Sequence, residues 1–390
     1  MRRSADKAWR CGRYLLQPQG YRAFIPESLP PQPPIKMDDE MWSLLSAADL
    51  GLGRLDGAAQ IVPNPDLFVY MYVRKEAVLS SQIEGTQASL VDVLEYEAGK
   101  TRRGLPDDVV ELVNYVDAMN YGLERVREFP LSLRLIREIH ARLLEGVRGQ
   151  EREPGEFRRS QNWVGPPGST LSEATYIPPP VHEMKQALGD LENFLYHQTP
   201  MPVLVKCGLV HSQFETIHPF SDGNGRIGRL LITFLLCQQG VLRRPLLYLS
   251  YYFKRNRTEY YSRLQAVRDT GDWEGWLKFF LRGVAEVAAQ ATDTASRILA
   301  MQQEHRRLIQ SRLRSANALR LHDHLFQRAV TSVPETAKCL SITFPAASRL
   351  VMELEKLGLL KQLQRERHPR LFAYDPYLTI LREGTEESPA

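Results

Sequence analysis

Twelve consecutive residues, His218-Pro219-Phe220-Ser221-Asp222-Gly223-Asn224-Gly225-Arg226-Ile227-Gly228-Arg229, bring together an imidazole, a carboxylate, three glycines and two arginines. His218 is the group in this stretch that takes a proton near neutral pH. Asp222 is a hard oxygen ligand, suited to Mg2+ held between phosphates. Gly223 and Gly225 let the backbone turn and approach a ligand closely. A loop that opens a helix presents free backbone N–H groups, which form an anion site. Arg226 and Arg229, three apart on the first turn, converge on the same anion. Base, metal ligand, anion cradle and cationic clamp are the parts that chemistry on a phosphate chain requires.

Two apolar segments must hold this loop. Upstream, Leu204 to Ile217 has helical spacing of Leu204, Cys207, Val210, Phe214 and Ile217. Downstream, Leu230 to Cys237 is apolar on every face and reads as a buried helix. Pro219 ends the first helix. Gly223 to Gly228 formally fits GxGxxG, but a dinucleotide fingerprint should follow an apolar strand, and Glu215-Thr216-Ile217-His218-Pro219 is not one. A zinc site on His211, Glu215 and His218 is disfavoured because HExxH is absent. A plain capped loop is the bland alternative. It leaves unexplained why Asn, Arg and His sit between core helices, where polar groups are costly to bury.

The twelve residues match HxFx(D/E)GNGRxxR at every specified position, and on them the chain resembles the Fic family. Most Fic proteins move AMP from ATP to a protein hydroxyl. The resemblance implies that His218 deprotonates a target Ser, Thr or Tyr. It implies that Asp222 holds Mg2+, that Gly223, Asn224 and Gly225 cradle the phosphates, and that Arg226 and Arg229 clamp their charge. On spacing alone, Ser80 and Glu84 are i, i+4 neighbours on an exposed helical face. Many Fic proteins, however, carry an inhibitory (S/T)xxxE(G/N) helix, and Ser80-x-x-x-Glu84-Gly85 fits it. Glu84 would then pair with Arg229 and compete with the ATP γ-phosphate. Gln161–Val164 and Thr175–Ile177 bracket a Pro- and Gly-rich turn and read as a hairpin. The resemblance makes it a flap that aligns the target by strand pairing, with Tyr176 and Ile177 as its target-aligning residues. Asn256, beside Tyr251 and Tyr252, is carried over as an adenine contact.

The rest of the chain sets bounds. At 390 residues with 43% hydrophobic and 25% charged content, it should hold two or three domains with ample core. Apolar runs are too short to span a bilayer, and no secretory segment follows the basic start. Cys11, Cys207, Cys237 and Cys339 are scattered, which suits a reducing, cytoplasmic setting. Net charge is +4, yet Met301 to Arg382 alone carries fourteen Lys and Arg against seven Asp and Glu.

Residues 1–35 look irregular, broken by Pro-rich clusters. The expected fold is mainly α: a Fic-type helical bundle with a β-hairpin flap, plus a C-terminal winged helix-turn-helix domain. Its divisions are an N-terminal region 1–105 with the inhibitory helix at about 66–84, a core 106–290, a helical connector 291–315 and the module 316–390. That module offers Ser348 and Arg349 to a DNA groove, but Glu353 and Glu355 on the same helix favour protein or intramolecular docking. The resulting expectation is an Mg2+-dependent protein adenylyltransferase restrained by its own Glu84, cytoplasmic, with ATP and a hydroxyl-bearing protein as partners and room for a homodimer. The alternatives are a nucleotide-sensing DNA- or protein-binding regulator, and a Fic enzyme acting mainly in AMP removal.

Overall fold

The structure is a computed structural model that describes residues 10–61, 65–97, 108–147, 152–166, 168–197, 200–326, 328–363 and 370–383. The basic residues Arg2, Arg3 and Lys7, and the connection at 364–369, lie outside the described residues.

The chain is helical over most of its length. Helices α1 (Asp39–Ile61), α2 (Pro65–Ile83), α3 (Leu90–Glu97), α4 (Val109–Glu128) and α5 (Leu133–Leu143) come first. Then follow α6 (Val181–Tyr196), α7 (Val203–Ile217), α8 (Asn224–Gln238), α9 (Ser250–Arg255) and α10 (Arg257–Thr270). Helix α11 (Trp273–Arg312) runs unbroken for 40 residues. It buries Trp276, Phe280, Val284, Val287, Ala291, Ala295 and Ile298 along one side, so the apolar stripe that starts at Trp273 continues well past residue 290.

The two central helices have the character their sequences demand. Helix α7 buries twelve of its fifteen residues, from Leu204 to Ile217. Helix α8 buries Asn224 and then Arg226 to Leu236 without a break, which leaves it no polar outer face. They pack on each other, with α4 and α2 against α8 and α11 against α7. Close approach of α4 to α8 depends on Gly122. A Cβ there would sit 2.3 Å from the Phe234 ring.

Residues 1–35 depart from the irregular reading. Gly12–Leu16 (β1) and Arg22–Pro26 (β2) form an antiparallel hairpin. Of the clusters that broke the pattern, Gln17 to Gly20 makes the turn between these two short strands and Pro30 to Pro34 follows them. The flap is slighter than a full hairpin. It closes through one bridge, Val164 to Tyr176, and its tip contains a 3-10 turn, Leu171–Glu173, with a Thr170 capping box.

After α11 come α12 (Ala316–Leu325), β3 (Val330–Ser332), α13 (Val333–Leu340), α14 (Phe344–Lys356), β4 (Lys361–Gln362), β5 (Leu371–Ala373) and α15 (Asp375–Arg382). Ser315 and Ser332 cap α12 and α13 through their hydroxyls, and Pro334 occupies the first turn of α13. The strands form an antiparallel sheet in the order β3-β5-β4. Helix α15 packs on α11 and on α2. Among the described residues no helix is long and apolar enough to cross a membrane.

Gly122→Ala tests the α4–α8 packing. Helix propensity alone would favour alanine by about 1 kcal/mol, whereas overpacking against Phe234 should lower stability by about 1–3 kcal/mol. Thermal or denaturant unfolding measures the sign, and Phe234→Leu in the same chain should recover part of the loss.

Candidate functional site

The loop between α7 and α8 has the local structure that its residues dictate. Helix α7 ends at Ile217, and His218 takes the left-handed conformation at φ 49°. Gly223 is also left-handed, at φ 74°, where glycine carries no Cβ penalty, and α8 starts at Asn224. An apolar strand does not precede the loop, so the dinucleotide reading fails. Asn224 holds the turn closed. Its Oδ1 accepts from the Phe220 N–H at 2.8 Å, and its Nδ2 donates to the Phe220 carbonyl at 2.8 Å. The Asn224 side chain is therefore spent on the loop itself, and what it leaves for an anion is its backbone N–H. Asp222 Oδ1 accepts from the Gly223 N–H at 2.6 Å.

The arginines sit where the helix N-terminus needs them. Arg226 is buried, with Glu111 at 3.5 Å and Asp222 at 3.7 Å, and its Nε has no hydrogen-bond partner among the described residues. An orphaned buried donor at the mouth of an N–H cluster suits an anionic ligand. Arg229 is 2% exposed and fully engaged from α2 and the turn after it: Nε donates to Ser80 Oγ at 2.8 Å, and Nη2 donates to the Ser80 carbonyl at 3.0 Å and to Glu84 Oε1 at 2.8 Å. Burial pushes the Glu84 carboxyl up, but Arg229, with help from Arg226 and His218, holds it below the usual carboxylate value. Burial pulls the Arg229 guanidinium down, and Glu84 more than reverses that. Gly225 makes the contact fit: a Cβ there would lie 2.4 Å from Glu84 Oε1. Behind Arg229, burial pushes Glu76 and Glu215 each up to about 7.

Burial holds the His218 imidazole down at about 4, with Arg158 and Arg268 adding to that and the Glu215 carbonyl and Glu84 opposing it. The ring is thus neutral at pH 7. His211 is engaged elsewhere. Its Nδ1 bonds the Gly228 carbonyl at 2.8 Å, and its Nε2 bonds the Tyr260 hydroxyl at 2.8 Å. Among the described residues no group of three His, Cys, Asp or Glu could hold a metal ion, so the zinc reading fails. Asp222 remains a single carboxylate, which suits a cation whose other ligands come from phosphate and water.

Asn256 lies at the joint of α9 and α10, its Nδ2 donating to the Tyr252 carbonyl at 3.0 Å. Lys254, two residues earlier, reaches back to Gln82 on α2 at 2.7 Å. Tyr176 and Ile177 lie on the second arm of the flap. Tyr176 is buried: its N–H and carbonyl pair with Val164, its hydroxyl donates to the Thr216 carbonyl, and Arg268 covers its ring. The Ile177 carbonyl accepts from the Phe24 N–H of β2 at 3.0 Å. Tyr176 is thus buried and Ile177 half-buried, with one backbone hydrogen bond joining this arm of the flap to the N-terminal hairpin. The other strand carries the free edge. Trp163 and Val164 are exposed, and the backbone groups of Trp163 and Gly165 are not used by the described chain.

Three residues that sequence reasoning missed hold the loop from outside. His140 Nδ1 accepts from the Gly155 N–H at 2.8 Å, so Nε2 carries the proton that goes to the Asp222 carbonyl at 3.0 Å, and the ring stacks on Phe220 at 3.7 Å. Asn162 Nδ2 donates to the Phe220 carbonyl at 2.9 Å. Arg158 donates to the His218 carbonyl at 3.1 Å. Polar residues at regular spacing from apolar neighbours were the available signal, and it does not name a partner.

A model of the Fic/DOC family N-terminal region matches residues 42–124, and one of the Fic/DOC family matches residues 130–236. A relative from Aquifex aeolicus named probable protein adenylyltransferase is 28% identical over 208 residues, covering 52% of this chain and 57% of its own. Protein adenylyltransferase Fic of Aedes aegypti is 32% identical over 220 residues, covering 54% of this chain and 39% of its own. The chain thus spans less than two thirds of the length of these relatives. Among solved structures, a Fic family protein from Desulfovibrio desulfuricans matches with a TM-score of 0.59 at 19% identity, over 88% of this chain and 98% of its own. A Fic domain containing signaling protein from Bacteroides thetaiotaomicron matches with a TM-score of 0.51 at 18% identity, over 64% of this chain and 97% of its own. These two share its fold.

His140 gives a pH test of the loop's support. Burial lowers its pKa from the ordinary 6.5 to about 4. Between those values the unfolded chain binds a proton there that the folded chain refuses, so stability falls as pH falls, by up to about 1.4 kcal/mol per pH unit for this one group. His140→Phe keeps the stack on Phe220. Unfolding measured from pH 7 to 4 should lose about one proton's worth of slope, and an unchanged slope contradicts the assignment.

Proposed function

The chain is a member of the Fic/DOC family through residues 42–124 and 130–236, and on that footing we propose that it transfers AMP from ATP to a hydroxyl side chain of a protein. One observation carries the reading: His218 ends α7 in the left-handed conformation, the N-terminus of α8 follows at Asn224, and the buried Arg226 Nε there is left without a hydrogen-bond partner among the described residues. His218 accepts the proton of the target hydroxyl. The oxygen attacks the α-phosphorus, and the bond to the β-phosphate oxygen breaks, releasing pyrophosphate. The backbone N–H groups of Asn224 and Gly225, with Arg226, bear the phosphate charge. Asp222 would hold Mg2+, which supplies charge neutralisation on the phosphates when bound. Asn256 borders the adenine end of the pocket.

Glu84 is the brake. It occupies the guanidinium face of Arg229 that a γ-phosphate needs. A charge-assisted hydrogen bond of about 1.5–3 kcal/mol corresponds to a roughly 10- to 150-fold handicap on productive ATP binding. The target lies along the outer edge at Trp163 to Gly165, whose backbone groups are unspent at either end of the Val164 bridge. The C-terminal unit serves protein contact rather than DNA. Its helix α14 exposes Phe344 and Met352, and these line a cavity of about 310 Å³ with Val333, Pro334, Glu355 and Phe372. That face is mostly apolar, and its one acid, Glu355, is matched by one base, Arg370, so it offers no excess of positive charge to phosphates.

Incubation with labelled ATP and Mg2+ tests the reading. Glu84→Gly should raise covalent labelling, including self-labelling, by about 10- to 150-fold, and His218→Ala should abolish it in either chain. Tight ATP binding with no label in wild type or Glu84→Gly would contradict transfer.

A further inference from the structure

Arg158 is 1% exposed, and no carboxylate pairs with it among the described residues. Its whole guanidinium goes to backbone carbonyls. Nε donates to His218 at 3.1 Å, Nη1 to Ser160 at 3.1 Å, and Nη2 to Pro179. Its own backbone N–H donates to the Pro219 carbonyl at 2.9 Å. Ser160 is at the start of the flap and Pro179 at its end. One side chain therefore ties both feet of the flap to the residue that carries the imidazole. A buried, unpaired cation is expensive, and only a planar fork of donors can meet three carbonyls at once. The anchored residue needs holding. His218 sits at φ 49°, a conformation that a non-glycine residue keeps only when its surroundings impose it. Asn162 adds a donor to the same place, reaching the Phe220 carbonyl at 2.9 Å and the His218 carbonyl at 3.4 Å.

We propose that Arg158 is a positioning residue that clamps both feet of the flap to the backbone of His218, so that docking a target on the flap and aligning the base are one event. This role rests on the function proposed above. The charge of Arg158 has a second consequence. The groups whose charge or dipole acts on the His218 ring are Arg158 from the segment before the flap, Arg268 from α10, Glu84 beyond the end of α2, and the Glu215 backbone on α7. Arg158 is the largest charged contributor among them and opposes protonation of the ring. Loss of its charge should move the imidazole back toward its ordinary value, and loss of its geometry alone should not.

The test uses the full chain in the Glu84→Gly background and compares Arg158→Lys with Arg158→Gln. Lysine keeps the charge but cannot reach three carbonyls. Each variant is assayed for AMP transfer to protein across pH, for ATP affinity, and for the His218 titration by NMR. ATP affinity should stay within about twofold of the parent, because the cradle on α8 is untouched. Arg158→Lys should lose at least about tenfold in kcat with the acid limb of the pH profile unmoved. Arg158→Gln should lose kcat and also shift the His218 titration upward, while burial keeps it below the ordinary value. Unchanged kcat in both variants overturns the proposal, as does a His218 titration that stays at the parent value in Arg158→Gln. Should Arg158→Gln not fold, Arg158→Lys with Asn162→Ala carries the kcat arm. A parent that labels nothing counts against AMP transfer itself; the clamp is then decided by the NMR shifts of the His218 and Ser160 backbones, which Arg158→Lys must disturb together and which, if unmoved, overturn it.

Discussion

A buried guanidinium must have acceptors, and Arg229 finds them on Ser80 and Glu84, at the end of α2 and in the turn that follows. That requirement organises the packing around α2 and α8. Arg229 belongs to α8, which is apolar from Leu230 onward and fixed in the core by α7, α4 and α2. Helix α2 is fixed in turn by Tyr72, whose hydroxyl bonds the Ala291 carbonyl on α11, and by Glu76, which takes a hydrogen bond from Ser250. The Glu84 contact is thus made between two elements that are each held elsewhere. It is an interaction of position more than of flexibility, and a phosphate that enters must offer Arg229 a better acceptor than the one already in place.

The loop beneath obeys the same logic on a smaller scale. Its sharp turn needs two left-handed residues, His218 and Gly223, and its buried polar groups have to be paired. Asn224 closes the turn from within, His140 holds the Asp222 carbonyl, and Arg158 and Asn162 hold the carbonyls of His218 and Phe220. The donors left over are those at the start of α8 and Arg226 Nε. The anion site we propose is what remains once the structural obligations of the loop have been met.

The sequence made some of this legible and hid the rest for identifiable reasons. The α7–loop–α8 unit could be read because its apolar runs and its punctuation by Pro219 and Gly223 are local. The approach of Glu84 to Arg229 could be read only through resemblance, since 145 positions separate them and spacing alone gives a solvated face. Arg158 and His140 were invisible because their partners are backbone carbonyls 60 and 82 positions away, and no residue type marks a carbonyl that needs a donor. The surroundings of the flap were not legible either. Alternation locates strands but does not say which side another strand covers, and the partner of Ile177 is Phe24, in a segment whose Pro clusters masked a hairpin.

If one guanidinium is shared in turn by Glu84 and the terminal phosphate of ATP, nucleotide affinity must register the exchange. Calorimetric titration of ATP and ADP, with Mg2+, into wild type and Glu84→Gln measures that directly. Wild type should gain little from the third phosphate, and Glu84→Gln should gain roughly 10- to 150-fold for ATP while ADP affinity barely moves. An equal gain for both nucleotides, or none for either, would contradict it.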